Sequence, residues 1–147
     1  MNRTGVVTVG IDGSPGSALA LEWAAAESVL RQAKLRVVHA WHTPYGATPL
    51  SLTAELYELL EGSANEVLDD ACDASTAMVG GPVERILDDR PAVDALLHAA
   101  ATSDLLVVGS RGRGGFVGML LGSVSSVLSH HCSCPLVIVP TPDAPTD

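Results

Sequence analysis

The residues best suited to chemistry are concentrated in one stretch, GSRGRGGFVGMLLGSVS, at positions 109–125. It holds six glycines and two arginines, and the chain has no Asp or Glu from Leu105 to Thr141 although it has 17 acidic residues in all. Glycine lets a backbone approach a ligand closely, and the free N–H groups at the start of a helix attract anions. The pattern therefore predicts a phosphate-binding loop that leads into a helix. The candidate residues are Gly109, Ser110, Arg111, Gly112, Arg113, Gly122, Ser123, Val124 and Ser125.

Two common phosphate motifs do not fit this stretch. A Walker loop places Lys before its Ser or Thr, and here Gly122 precedes Ser123. A dinucleotide-binding G-x-G-x-x-G follows the first strand, where this chain has only GIDGSPG, and in the late stretch the residue three after Gly114 is Val117. We therefore exclude a P-loop NTPase and a Rossmann dehydrogenase.

Composition narrows the class of protein further. A chain of 147 residues with 47% hydrophobic and 17% charged residues is expected to fold as one domain, and we assign it to residues 1–142, with 143–147 as a disordered tail. A net charge of -9 with a single lysine, Lys34, disfavours nucleic acid and anionic membranes as partners. No apolar run approaches the length of a membrane span, so we expect a cytoplasmic protein.

The three cysteines do not form a recognisable framework. Cys72, Cys132 and Cys134 are an odd number, which suits reduced thiols. Cys132-x-Cys134 lacks the second ligand pair of a zinc site, so we interpret both residues as ordinary half-buried thiols.

The elements that position the glycine stretch alternate between strand and helix. Apolar runs bounded by turn residues predict strands at 6–11, 35–40, 83–89, 104–110 and 135–140. Helical spacing predicts helices at 15–33, 53–74, 91–103 and 122–131, and the prolines and glycine of 41–51 predict an irregular loop. The order βαβαβαβαβ indicates an α/β fold with an open five-stranded parallel sheet and helices on both faces.

Particular residues fix the expected helix starts and faces. Ser14 suits the N-cap of the first helix with Pro15 at its first position, and Pro91 suits the first position of the third helix. The first helix is expected to bury a broad apolar face that includes Leu21, Val29 and Leu30. Ligands of such sheets bind beyond the carboxyl ends of the strands where the strand order reverses, and Asp12 and Gly109 both follow strands.

Four segments of the chain resemble the universal stress protein family in order and approximate spacing. They are VGIDGS, VVHAW, DLLVVGSRGRGGFVGMLLGSVS and CPLVIV, and the third contains the pattern Gly109-x-x-Gly112, nine residues and then Gly122-Ser123. The resemblance covers nearly the whole chain. It implies a Rossmann-like sheet of order 3-2-1-4-5, and the intact glycine pattern is similar to that of family members that bind ATP. The acidic pair Asp88-Asp89 departs from the family and leaves the limits of the third strand open.

The resemblance also implies roles for individual residues. It puts Gly109, Gly112, Gly122, Ser123 and Val124 at the triphosphate, and Asp12 at the ribose or at an accompanying Mg²⁺. Gly10, Ile11 and Ala40 would line the adenine. Asp12 has an alternative interpretation as a helix cap, and Arg111 and Arg113 as solvated surface residues.

Three functions remain open at this point. The first is a nucleotide-responsive stress or regulatory protein that binds ATP, or cyclic AMP or another adenine nucleotide instead, and is not an efficient enzyme. The second is a slow ATP hydrolase or nucleotidyl transferase that uses Asp12 and a divalent metal, and the third is a nucleotide-free dimeric interaction module. The resemblance implies a homodimer through the last strand, Pro135 to Val139, because an uncharged apolar edge strand needs cover. We expect His39 and His42 to be packing or surface residues.

Overall fold

The computed structural model describes residues 5–42, 53–112 and 120–142. Its strands are β1 (Val6–Ile11), β2 (Lys34–Ala40), β3 (Glu84–Asp88), β4 (Leu105–Gly109) and β5 (Leu136–Val139). Its helices are α1 (Pro15–Arg31), α2 (Ala54–Val79), α3 (Ala92–Ala100) and α4 (Ser123–His131). Arg113, most of the 41–51 loop and the 143–147 tail lie outside the described residues. Every predicted strand and helix is present.

The strands form one parallel sheet of order β3-β2-β1-β4-β5, as predicted. Val9 in the middle of β1 pairs with Val37 of β2 on one side and with Val107 of β4 on the other. Because all strands run in one direction, their carboxyl ends meet at one edge of the sheet. The order reverses between β1 and β4, which is where ligands of such sheets bind.

Helices cover both faces of this sheet. On one face, α1 and α2 pack over β1, β2 and β4 around fully buried residues such as Val9, Leu68 and Val107. On the other face, α3 and α4 pack around Leu106 and Leu128. β4 is buried on both faces, in agreement with its uninterrupted apolar sequence.

The first helix buries only part of the expected face. Ser14 is its N-cap and accepts a hydrogen bond from the Ser17 N–H at 3.2 Å, as predicted. Val29 and Leu30, however, are 53% and 79% exposed. The face against the sheet carries small residues, namely Ala20, Ala24, Ala25 and Ser28 beside Leu21. The helix is apolar on several sides, so spacing alone did not identify the side that packs.

Most limits differ from expectation by one to three residues, and α2 runs five residues further than predicted, to Val79. Helix α1 ends at Arg31 because Gln32 takes a left-handed conformation, φ 54°, and its N–H caps the last turn. Pro91 is the N-cap of α3 and not its first residue. β3 ends at Asp88, whose carboxylate accepts hydrogen bonds from the Arg90 N–H at 2.9 Å and from the Arg90 guanidinium at 2.9 and 3.0 Å. This turn settles the limit that the acidic pair left open.

Candidate functional site

A cavity of about 420 Å³ opens at the carboxyl edge of the sheet, between the ends of β1 and β4. Binding pockets for small molecules are typically about 300 to 1,000 Å³, so the cavity has the size of a ligand site. The structure brings eleven sequence-predicted residues to its wall: Gly10, Ile11, Asp12, Ala40, Gly109, Arg111, Gly112, Gly122, Ser123, Val124 and Ser125. Residues from four separate segments therefore meet at one place.

The first turn of α4 forms one side of the cavity. Gly122 is the N-cap of α4. Because it has no side chain, no side-chain cap accepts a hydrogen bond from the N–H groups of the first turn. The Gly122 N–H donates to the Ser110 carbonyl at 2.6 Å, and the buried Ser125 hydroxyl donates to the same oxygen at 2.9 Å. These bonds fix the helix start against the loop after β4. The positive end of the helix dipole is thus presented to the cavity.

Asp12 holds the turn between β1 and α1 and also lines the cavity. Its Oδ1 accepts a hydrogen bond from the Ser14 N–H at 2.9 Å, which is the geometry of an Asx turn. The N-cap of α1 is Ser14 itself, so the alternative interpretation of Asp12 as the cap is wrong. A Cβ on Gly112 would lie 2.5 Å from Oδ2 of Asp12. A larger residue at 112 would therefore require the Asp12 carboxylate to move.

The opposite part of the cavity is apolar. Gly10 lies under α3, where an added Cβ would meet the two methyl carbons of Leu96 at 2.8 and 3.1 Å. Sequence analysis did not identify five lining residues, namely Ser17, Val38, Ala92, Leu96 and Val108. Val38 has the two-residue spacing that puts it on the same face as Ala40, and this signal was available. Ala92 and Leu96 gave no signal, because only the packing of α3 brings them here.

Arg111 and Ser110 connect the cavity to the segment after β5. Arg111 is a lining residue of the cavity, and its guanidinium donates to the Thr141 carbonyl at 2.7 Å. Ser110 is buried and is not a lining residue: its N–H donates to the Val139 carbonyl at 2.8 Å, and its hydroxyl accepts from the Thr141 N–H at 3.0 Å. Ser110 thus holds the loop in place. Arg113 lies outside the described residues.

Gly109 is required by packing as well as by the cavity. A Cβ at this position would lie 2.9 Å from the carbonyl oxygen of Gly16 in the first turn of α1. Gly16 is equally constrained, since its own Cβ would lie 2.7 Å from the Arg111 carbonyl oxygen. The two glycines allow α1 to start directly against the end of β4.

His39 is a packing residue, as expected. It is buried, and its Nδ1 lies 2.8 Å from the Ile11 carbonyl oxygen. A second cavity of about 190 Å³ adjoins Asp12 on this side and is lined by His39, Trp41 and His42 among others. Within the described ranges, no three His, Cys, Asp or Glu side chains are grouped closely enough to hold a metal ion.

The chain is similar to proteins of one family. The model of the universal stress protein family matches residues 4–140. The universal stress protein Rv2623 of Mycobacterium tuberculosis H37Rv is 35% identical over 144 residues, which are 94% of this chain and 48% of that protein. The chain thus spans about half the length of the curated relatives it matches.

Solved structures agree with this similarity. The universal stress protein UspA from Lactobacillus plantarum superposes with a TM-score of 0.81 at 19% identity, covering 95% of this chain and 99% of that one. A universal stress protein in complex with cAMP is 30% identical with a TM-score of 0.68, covering 93% of this chain and 97% of that one. Among the described residues, no helix is long and apolar enough to cross a membrane.

Proposed function

Because the chain belongs to the universal stress protein family, we propose that it binds an adenine nucleotide, ATP first, at the carboxyl edge of its sheet. A partner would then distinguish the bound form from the free form, so that the domain acts as a nucleotide-responsive stress protein. The observation that carries this proposal is the cavity of about 420 Å³, in which the start of α4, the loop at 109–112 and Asp12 face one space.

The two ends of the cavity suit the two ends of a nucleotide. Val38, Ala40 and Leu96 give one end an apolar surface against which a base can pack. The other end offers the first turn of α4, whose N–H groups attract phosphate, and Arg111 adds a positive charge to this part of the lining. Asp12 also lines the cavity, and its carboxylate can accept from a ribose hydroxyl. It can also share Mg²⁺ with phosphate oxygens, since Mg²⁺ in nucleotide sites takes one or two carboxylates plus phosphates.

The relative in complex with cAMP supports an adenine nucleotide as the ligand class. Cyclic AMP carries one phosphate and ATP three. The Gly109-x-x-Gly112, nine residues, Gly122-Ser123 pattern favours the longer ligand, because it lines both sides of the phosphate end of the cavity. We therefore place ATP first and keep cyclic AMP as the alternative to be measured.

Calorimetry tests this proposal on nucleotide-free protein. The parent is titrated with ATP and Mg²⁺, ATP alone, cyclic AMP and GTP, alongside Gly122→Val and Gly62→Val. A Cβ at Gly122 would lie 3.4 Å from the Arg111 Cα and the Ser110 oxygen, so the valine methyls would crowd the loop at 110–112 at the phosphate end of the cavity. Gly62 is an exposed position of α2 with nothing within 4 Å of its Cβ, so it receives the same substitution harmlessly.

The expected result is ATP binding by the parent and by Gly62→Val, and at least a tenfold loss in folded Gly122→Val. Absence of binding for every nucleotide would refute the proposal and favour the nucleotide-free interaction module. If folded Gly122→Val bound ATP with unchanged affinity, the nucleotide would bind at a site other than this cavity. ATP turnover that disappears in Asp12→Ala while binding survives would indicate a hydrolase.

We also propose a homodimer through β5. This strand is at the edge of the sheet, and the carbonyls of Pro135 and Val139 accept hydrogen bonds from the β4 side. The N–H and C=O groups of successive residues in a strand point alternately to its two sides. Those of Leu136 and Ile138 therefore point away from β4, toward the open edge of the sheet. A second copy of the chain can pair with them about a two-fold axis. Light scattering should give about 30 kDa, twice the chain mass of 15.1 kDa, and 15.1 kDa at every concentration would contradict the dimer.

A further inference from the structure

Two cysteines meet between α4 and β5, away from the cavity. Cys132 is the C-cap of α4, and Cys134 lies two residues before β5 begins at Leu136. Their sulfur atoms are 3.9 Å apart, and both side chains are half-buried. Both pack against the apolar cluster under α3 and α4. Both are half-buried thiols, as interpreted from the sequence, and the fold also places their sulfur atoms in contact.

We propose that Cys132 and Cys134 form a reversible dithiol–disulfide pair that a hydroperoxide oxidises. Residues two apart are separated by at most about 7 Å along the chain, and disulfides need Cα atoms about 4.4–6.8 Å apart. The sulfurs must approach from 3.9 Å to about 2.05 Å. Cys132 already has extended backbone angles, φ -67° and ψ 132°, so this approach requires no helical turn to unwind.

The surroundings of the two thiols assign them different parts in the reaction. Burial, the charge of a Cys132 thiolate and the sulfur–sulfur contact raise the pKa of the Cys134 thiol to about 12. Cys134 therefore stays protonated, and Cys132 is the thiol that attacks first, since the thiolate is the nucleophile. The Cys132 sulfur attacks one peroxide oxygen, the O–O bond breaks, and Cys132 becomes a sulfenic acid.

The second step closes the pair. The Cys134 sulfur attacks the Cys132 sulfur, the S–O bond breaks, and water leaves with the proton from Cys134. With hydrogen peroxide, two thiols lose two electrons and two protons in total, and the peroxide becomes two waters. The sulfenic acid is uncharged, so the part of the pKa increase at Cys134 that a Cys132 thiolate causes is removed when Cys134 must react, while the larger effect of burial remains.

Cys72 provides an internal control. It is buried in α2 within the cluster on the other face of the sheet, and burial raises the pKa of its thiol. A buried, protonated thiol without a neighbouring sulfur is not expected to react with peroxide. The proposed chemistry should therefore consume two of the three thiols and spare Cys72.

The test treats reduced full-length protein with hydrogen peroxide and counts thiols by colorimetry and by intact mass. The parent and Cys72→Ser should each lose two thiols and about 2 Da, the mass of two hydrogens. Peptide mapping should place the bond between Cys132 and Cys134, and dithiothreitol should restore both thiols. Folded Cys134→Ser should instead accumulate a sulfenic acid at Cys132 that dimedone labels.

Several results would overturn the proposal. A parent that keeps three thiols, a bond that maps to Cys72, or a cross-link between two chains would each contradict it. Loss of two thiols that dithiothreitol does not reverse would contradict a reversible pair. Mapping on the parent alone decides the matter if a serine variant fails to fold.

Discussion

Replacing Gly109 by Ala and Gly62 by Ala is the same chemical change with opposite expected effects on the free energy of unfolding. At Gly109, the new Cβ lies 2.9 Å from the Gly16 oxygen and 3.0 Å from the Gly16 carbonyl carbon. Both atoms belong to the backbone and cannot rotate away. Ordinary contact begins near 3.4 Å, so the first turn of α1 must move from β4 by about 0.5 Å. Overpacking of this kind typically costs about 1–3 kcal/mol.

At Gly62, the same methyl group meets nothing within 4 Å, and the position is exposed within α2. Removing a helix-interior glycine there should stabilise the fold by roughly 0.5–1 kcal/mol. Each 1 kcal/mol corresponds to roughly 2–4 °C in Tm for a chain of this size. The two variants should therefore lie on opposite sides of the parent.

Urea denaturation followed by circular dichroism measures both changes. Because the loop after β4 also lines the cavity, folded Gly109→Ala should bind ATP more weakly than the parent, whereas Gly62→Ala should match it. If Gly109→Ala were as stable as the parent, the close approach of Gly16 would not constrain position 109. If Gly62→Ala were less stable than the parent, open space around the Cβ would not predict the sign of the change in the free energy of unfolding.

Three further predictions concern single side chains. Ser14→Ala removes the hydroxyl that accepts a hydrogen bond from the Ser17 N–H at 3.2 Å. The free energy of unfolding should fall by about 1 kcal/mol. A fall of less than about 0.3 kcal/mol would show that this cap does not stabilise the helix. Leu68→Ala deletes a fully buried side chain between α2 and the sheet and should cost about 2–5 kcal/mol in urea denaturation, where a loss under 1 kcal/mol would contradict its core position. Hydrogen bonds from Arg90 hold the pKa of the Asp88 carboxyl below its ordinary value. The ionised carboxylate therefore stabilises the fold fully at pH values above its unfolded pKa of about 3.9. This stabilisation is lost as the pH falls through the lower pKa of the folded state. Asp88→Asn should therefore be less stable than the parent at pH 7, with a difference that shrinks below about pH 4, and a difference independent of pH would refute the ion pair's contribution.

The sequence identified most of the candidate site because its signals are local. The pattern Gly109-x-x-Gly112 predicts a loop, and Gly122-Ser123 predicts the start of a helix. Asp12 directly follows a strand, which places it at the carboxyl edge of a parallel sheet. The apolar half of the cavity was missed at Ala92 and Leu96. They lie in a segment with the sequence of an ordinary amphipathic helix. Only the folded chain brings Leu96 to Gly10, which is more than 80 positions away in the sequence.

The sequence alone determined the order of strands and helices, because apolar runs, helical spacing and turn residues are properties of neighbouring residues. With the resemblance to a family, it also determined the order of the sheet. Only the tertiary structure decided which face of α1 packs, since apolar residues lie on several sides of the helix and the buried side carries mostly small residues. It likewise decided that Gly16 meets Gly109. Such contacts depend on the close packing of whole elements, which no local pattern encodes.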